Sequence, residues 1–197
     1  MTQNLLIAFL GFAVVTLFTP GPNNLMLLAS GANYGLRRTV PHMLGVALGF
    51  GGMVGLVGLG LSALFIQFPV LHLVLKVVAV VFLGWLAWKI AHASAPGSAE
   101  ASGRPMSFLQ AVAFQWVNPK AWAMAISAIS AYAPDQSWIA VAIVAGGFAT
   151  LGFGSCVTWA GLGTRIRLWL TSPARLRVFN WTMAGLLIAT LVPVLMH

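Results

Sequence analysis

Long apolar stretches separated by short polar connections dominate the sequence. Residues 1–36, 39–75, 136–164 and 178–197 contain no Asp, Glu, Lys or Arg. A helix needs about 20 apolar residues to cross the hydrocarbon core of a bilayer, so each stretch is long enough for at least one span. The pattern predicts an all-α membrane protein with six transmembrane helices, over residues 5–34, 40–66, 69–91, 107–132, 138–163 and 178–196.

Two of the six predicted helices are interrupted near their middles. The first contains Thr19-Pro20-Gly21-Pro22-Asn23, and the fourth contains Asn118-Pro119-Lys120. Proline lacks an N–H group and clashes with the preceding helical turn, so both helices should break or kink. Thr19 and Asn118 are good N-cap residues, and a proline that follows suits the first position of a helix. Each break therefore predicts a new half-helix that starts near mid-membrane.

The two halves of the chain share sequence features at a roughly constant offset. Pro20 and Pro119 interrupt the first helix of each half, and Leu-Gly-Phe-Gly occurs at 48–51 and again at 151–154. Three spans per half is an odd number, so the second half would lie inverted, as in many secondary transporters. Coincidence is the alternative, because glycine is common in membrane helices. The sequence predicts one transmembrane domain of two inverted three-helix repeats (1–91 and 107–197), joined by a cytoplasmic loop at 92–106.

Composition and charge agree with a membrane protein. Hydrophobic residues make up 60% of the chain and charged residues 6%, whereas about a quarter of the residues in a soluble domain are charged. The net charge of +8 does not indicate nucleic-acid binding, since the basic residues lie mostly in connections between apolar stretches. Because basic loops face the cytoplasm, both termini should lie on the outer, periplasmic side of the inner membrane. These basic residues are Arg37, Arg38, Lys89, Arg104, Arg165, Arg167, Arg175 and Arg177.

The N-terminal apolar stretch is expected to remain as a span. The first basic residue is Arg37, so the positive start of a cleavable signal peptide is missing. The single cysteine, Cys156, cannot form an intrachain disulfide or build a metal cluster.

The two interruptions are the best candidates for a functional site, because their half-helix starts, from inverted halves, should face each other across the centre of the membrane. A half-helix start carries free N–H groups and a positive dipole end, which suit a small anion such as the carboxylate of an amino acid. Lys120 would add a full charge, and an ionisable side chain at this depth is seldom kept without a role. Ordinary packing kinks are the alternative. The predicted substrate-binding residues are Thr19, Pro20, Gly21, Pro22, Asn23, Asn118, Pro119 and Lys120.

A few other residues could line a transport cavity. Lys76 lies about 10 Å into the third span, so it could line a cavity or extend its ammonium group to the outer interface. Trp116 and Trp122 flank the second interruption and could form walls of the site, although core or lipid packing is the alternative. The histidines near span ends are expected at the interface: His42, His72 and His92.

Neither acidic residue falls inside a predicted span. Glu100 and Asp135 both lie in connections, so proton-driven transport would require Lys120, Lys76 or a histidine to titrate. Otherwise the substrate gradient or the membrane potential would drive transport. The spans also lack paired acids, a histidine-rich metal set and a Ser-His-Asp arrangement, so we expect no enzyme activity, metal or cofactor.

Several motifs resemble those of one known family. Residues 19–24 (Thr-Pro-Gly-Pro-Asn-Asn), followed by Gly35, Arg37, Gly45 and Gly49, resemble the signature of the LysE/RhtB superfamily of bacterial amino-acid exporters. The segments 75–89 and 114–120 look like the third and fourth helices of the same family. Within it, residues 85–91 and 154–159 look closest to the cysteine/O-acetylserine exporter branch. Ala79, Phe82 and Phe50 depart from the residues found in many members.

The resemblance implies a secondary active exporter of small amino acids or their derivatives across the bacterial inner membrane. It also implies that the proton motive force drives transport, with cysteine, O-acetylserine, homoserine and threonine as candidate substrates. The partners are then an amino-acid substrate and the lipid bilayer, while assembly as a homo-oligomer stays open. A passive pore or a membrane scaffold without an alternating-access cycle is the alternative function.

Overall fold

Regular secondary structure in the described part of the chain is entirely helical. The computed structural model describes residues 1–61, 67–68, 70–93, 104–135 and 137–196. A π-helical turn, Val57–Leu61, continues the third helix. The helices are α1 (Gln3–Phe18), α2 (Pro22–Tyr34), α3 (Leu36–Leu56), α4 (Val70–Ala91), α5 (Phe108–Val117), α6 (Pro119–Tyr132), α7 (Trp138–Arg167), α8 (Pro173–Ala189) and α9 (Val192–Met196).

Capping residues determine where several of these helices begin. Ser107 caps α5, and the Gln110 side chain accepts from the Ser107 backbone N–H in a reciprocal capping box. Ser172 caps α8, which begins at Pro173 rather than at residue 178 as predicted. The predicted start lies too far along the chain because the apolar window excludes the charged first turns of this helix. For the same reason α3 begins at residue 36 instead of 40.

In the part of the chain that the structure describes, three helices are long and apolar enough to cross a membrane: Leu36–Leu61, Leu73–Ala91 and Trp138–Arg167. A fourth span is obtained if α1 and α2, which meet at an angle of 55°, are counted together. By length and composition the described helices thus give three or four spans, fewer than the six in the prediction. Much of the predicted loop at 92–106, including Glu100, lies outside the described residues, as do residues 62–66 at the end of the second predicted span.

Glycines let the central helix α7 approach its neighbours closely. Gly163 of α7 lies directly against the carbonyl of Leu28 in α2, and Gly31 of α2 lies against the carbonyl of Ala160 in α7. A side chain at either glycine would collide with the backbone of the other helix, so the two helix backbones touch along this face. Gly45, in α3, similarly lies against the carbonyl of Phe108 at the start of α5.

Two large buried clusters and a smaller third one form the core of the described residues. The first contains Phe9, Phe50 and Phe148, and the ring of Phe148 lies 5.3 Å from that of Phe9 and 5.0 Å from that of Phe50. The second contains Met43 and Phe114 with residues of α2, α4 and α8. Along α3, Val46 of the second cluster and Phe50 of the first are about one turn apart, and both line the candidate site.

The basic connections gather at one end of the molecule, which we call the basic end. Lys89, in the last turn of α4, and Arg104, which precedes α5, line one cavity together with Tyr34 at the end of α2. The guanidinium group of Arg167, at the end of α7, lies beside Gly35. Loops that are distant in sequence therefore share a single charged face.

Candidate functional site

The two predicted helix breaks are present, and they touch each other. The first separates α1 from α2, and the second separates α5 from α6. The ammonium group of Lys120, in the first turn of α6, donates a hydrogen bond to the carbonyl oxygen of Thr19 at 2.5 Å. The Lys120 side chain also lies across the Cα of Gly21, where an added methyl group would meet its Cδ at 2.8 Å. The structure therefore brings together two motifs that are 101 residues apart.

The start of α2 differs from the prediction by two residues. Thr19 was expected to cap a helix beginning at Pro20, but Gly21 is the N-cap and Pro22 is the first helical residue. Thr19 instead ends α1, and its hydroxyl donates to the carbonyl of Val15 at 2.6 Å. The physical reason is that a residue before proline is disfavoured in the α region. With a second proline at 22, Gly21 stays extended and the helix cannot begin earlier.

The start of α6 agrees with the prediction. Asn118 is the N-cap, Pro119 is the first helical residue, and the Asn118 side chain accepts a hydrogen bond from the Lys120 N–H at 3.2 Å. This cap uses one of the N–H groups that could otherwise bind an anion. Two sources of positive charge remain at this helix start: the helix dipole and the ammonium group of Lys120.

Polar side chains satisfy the carbonyl groups that the break frees at the end of α1. The Asn24 amide donates to the carbonyls of Leu17 and Thr19, both at 2.9 Å. The hydroxyl of Ser155, in α7, donates to the Leu17 carbonyl at 2.9 Å. An interrupted helix within a membrane requires such partners, because unpaired backbone groups are costly in a low-dielectric environment. The break is therefore held by side chains from three helices, α2, α6 and α7.

A pair of amides links α2 to α5 beside the break. The Asn23 amide donates to Gln115 Oε1 at 2.9 Å, and the Gln115 amide donates back to Asn23 Oδ1 at 3.3 Å. Gln115 is fully buried and also donates to the carbonyl of Ala111 at 2.8 Å. Sequence reasoning missed Gln115, although an amide inside an apolar helix is itself a signal, since a buried polar group needs a partner.

A cavity of about 450 Å³, which we call the central cavity, opens where the two breaks meet. Four of the predicted substrate-binding residues line it, namely Gly21, Asn23, Asn118 and Lys120. Thr19 is not among the lining residues, but its carbonyl accepts the hydrogen bond from Lys120. Among the described lining residues, Lys120 carries the one formal charge. Apolar side chains complete the lining: Val46, Ala47, Phe50, Ala121 and Met124.

The remaining predicted residues have other surroundings. Pro20, Pro22 and Pro119 shape the breaks, and Pro20 is exposed whereas Pro22 is buried. Trp116 and Trp122 pack edge to face with ring centroids 6.0 Å apart, and the Trp122 indole donates to the Trp116 carbonyl at 2.8 Å. Both rings also pack against the first buried cluster.

Lys76 is separate from the central cavity. Its ammonium group lies 3.5 Å from the carbonyl oxygen of Leu195 and donates to it. The contact joins α4 to α9, so the structure gives Lys76 a packing partner near the end of the chain.

Comparisons with known proteins give a consistent result. The family model described as LysE type translocator matches residues 14–197. A cysteine/O-acetylserine efflux protein of Klebsiella pneumoniae is 32% identical over 195 residues, which cover 95% of both chains. Proteins of the same description from Escherichia coli K12 and Salmonella typhimurium are 33% and 34% identical, each covering 83% of this chain and 84% of the relative. No solved structure matches the chain.

Proposed function

The chain belongs to the LysE type translocator family, and from this membership we propose that it is a secondary active exporter of small zwitterionic amino acids. It is a transporter and not an enzyme, and its helices are those of a multi-pass protein of the inner membrane. Cysteine and O-acetylserine are the first candidate substrates, because the relatives are described as efflux proteins for them. Homoserine and threonine are similar in size and follow as further candidates.

The observation that carries the proposal is the ammonium group of Lys120 in the central cavity. A substrate carboxylate would compete with the Thr19 carbonyl for this group, and a charged acceptor binds an ammonium group more strongly than a neutral one. If Lys120 changes partner, the Thr19 carbonyl keeps the hydrogen bond from Asn24. The site can therefore exchange between an empty and an occupied arrangement without leaving this carbonyl unpaired.

The proposed topology is six spans in two inverted repeats. Its support is the correspondence of the two breaks, since α1 with α2 and α5 with α6 would each form one interrupted span. In this arrangement α8 and α9 complete the last span. The basic end would face the cytoplasm and both termini would lie outside.

The proposed driving force is the proton motive force. Asp135 lies between α6 and α7, so no acid is found within a helix in the described residues. Proton coupling would then use a lysine or histidine of the helices. An exporter that uses the substrate gradient alone would move substrate only down that gradient, and a proteoliposome assay separates these possibilities.

The direct test is transport by the purified protein in proteoliposomes. Labelled cysteine or O-acetylserine should accumulate above its equilibrium level under an imposed proton gradient. Lys120→Ala should lower this transport by about tenfold or more, because a hydrogen bond between charged groups is lost. Arg177→Ala is the control, since it removes an exposed positive charge away from the cavity and should retain transport. Equal activity of the Lys120 variant and the wild type would contradict the proposed site, and mere equilibration would indicate a passive pore.

A further inference from the structure

A second cavity, which we call the inner cavity, lies at the basic end. Its volume is about 430 Å³, and it is formed by α2, α3, α4 and residues 104–106. The proposed site at the helix breaks does not include it. Its polar lining consists of Ser30, Asn33, Tyr34, His42, Lys89 and Arg104.

The charges around the inner cavity favour an anion. Lys89 and Arg104 both line it, and no acidic residue is found among its described lining residues. Lys89 is held in place at the end of α4, where its ammonium group lies 5.2 Å from the centre of the Trp85 ring. Arginine and lysine each form strong, charge-assisted hydrogen bonds with a carboxylate.

His42 supplies a second, independent observation. Its position in the sequence predicts a place at the membrane interface, but its side chain is only 1% exposed, and neither ring nitrogen has a hydrogen-bond partner among the described residues. Its neighbours are satisfied: Thr39 bonds to the Gly35 carbonyl at 2.9 Å and shares a hydrogen bond with Ser30 at 3.0 Å. Because buried polar groups are normally paired, an unpaired imidazole in the lining of a cavity indicates a missing ligand group.

We propose that the inner cavity is a second binding site for the transported amino acid, occupied before the central cavity. Arg104 and Lys89 bind the carboxylate, and a neutral His42 accepts a hydrogen bond from the ammonium group of the substrate. The inference rests on the proposed function, since it assigns a loading step to the same transport path. The inner cavity would contribute two cations and a hydrogen-bond acceptor that are not part of the helix breaks.

The two cavities are close enough to form one path. Along α2, Asn23 lines the central cavity and Met26 lines the inner cavity. The two residues are separated by less than one helical turn, or about 4.5 Å of rise. Along α3, Val46 and His42 are in the same relation, one turn apart. Asn23, on the side of the central cavity, donates to Gln115. A substrate released from His42 therefore has a short distance to move to reach the central cavity.

The test is the binding stoichiometry of labelled cysteine on the purified full-length protein in nanodiscs of neutral lipid. The wild type should bind two equivalents and Lys120→Ala one. Adding Arg104→Ala to the Lys120 variant should weaken the remaining site by about tenfold or more. Arg37→Ala, an exposed basic residue at the same end, is the control and should leave binding unchanged.

Further variants and competitors separate the possible outcomes. His42→Gln keeps a polar side chain at a buried position and should weaken only the site that survives in Lys120→Ala. Cysteine methyl ester, which lacks the carboxylate, should fail to compete for it. One equivalent in the wild type, lost entirely in Lys120→Ala, would overturn the inner site but support the central one. Displacement by inorganic phosphate at lower concentration than by cysteine would also overturn the amino-acid assignment, and no binding by the wild type would contradict the proposed function itself.

Discussion

At the scale of single residues, the contact between Lys120 and the first helix break depends on the absence of a side chain at Gly21. A methyl group there would lie 2.8 Å from Lys120 Cδ and 3.1 Å from Nζ. The lysine side chain is flexible and can move aside, whereas the extended backbone of Gly21 accepts alanine without strain. The absence of a side chain at Gly21 therefore matters for the position of the Lys120 ammonium group rather than for the fold.

We accordingly expect Gly21→Ala to reduce transport severalfold while the protein keeps its wild-type melting temperature. Gly11→Ala is the control, because no other atom lies within 4 Å of the position its methyl group would take. Transport in proteoliposomes and thermal unfolding in detergent measure the two effects. Full transport by Gly21→Ala would show that the contact between Lys120 and the first break has no part in the cycle.

The residues of the candidate site were predictable only in part. Lys120 and Asn118 stand out in the sequence because a lysine and an N-cap beside proline are unusual within an apolar helix. Asn24 and Ser155 could not be found in this way, since their hydrogen-bond partner is a carbonyl whose exposure depends on the packing of other helices. His42 was wrongly placed because nearness to a span end does not say which face of α3 is buried.

At the scale of elements, the contact between α2 and α7 is the closest helix packing described. Gly163 has the carbonyl of Leu28 in the position where a side chain would lie. Substitution to alanine would force two backbones apart, and overpacking of this kind typically costs about 1–3 kcal/mol.

We expect Gly163→Ala to lower the melting temperature in detergent for this reason. Gly161→Ala, two residues earlier on the same helix, has open space around it and should be neutral or slightly stabilising. Thermal unfolding of the two variants under the same conditions provides the comparison. A similar melting temperature for both would mean that α2 and α7 separate easily.

Helix positions were better predicted than helix ends. The interruptions at Pro20 and Pro119 follow from proline geometry and are present in the structure. The starts of α3 and α8 were placed too late, since both helices begin with charged turns that an apolar window excludes. α7 likewise extends to Arg167, beyond the predicted residue 163, because basic side chains stabilise the C-terminal end of a helix.

At the scale of the whole molecule, the gathering of basic residues at one end makes the proposed orientation testable. The natural cysteine, Cys156, is only 3% exposed, so a thiol reagent should give little background labelling. Asn4 precedes most of α1, and Arg175 lies in the first turn of α8; both are exposed.

A membrane-impermeant maleimide should label Asn4→Cys in intact cells. It should label Arg175→Cys only after the membrane is permeabilised, and the otherwise unmodified protein serves as the background control. The reverse pattern would place the basic end outside and reject the proposed topology.

The atoms through which the two halves meet could not be predicted at this scale. Repeated motifs suggest that two breaks correspond, but the hydrogen bond from Lys120 to Thr19 depends on how α1, α6 and α7 pack together. The sequence indicated the class of molecule and the components of the site, while the packing of separate helices determined which components meet.

The close backbone contact between α2 and α7 restricts how these two helices can move. Two helices whose backbones touch at Gly31 and Gly163 cannot slide past each other without first moving apart. They should therefore travel as a single rigid body whenever the protein changes shape. The extended backbone at residues 19–21 and 118, where two helices are interrupted, would then provide the joints beside this rigid body, and the proposed substrate site lies next to both.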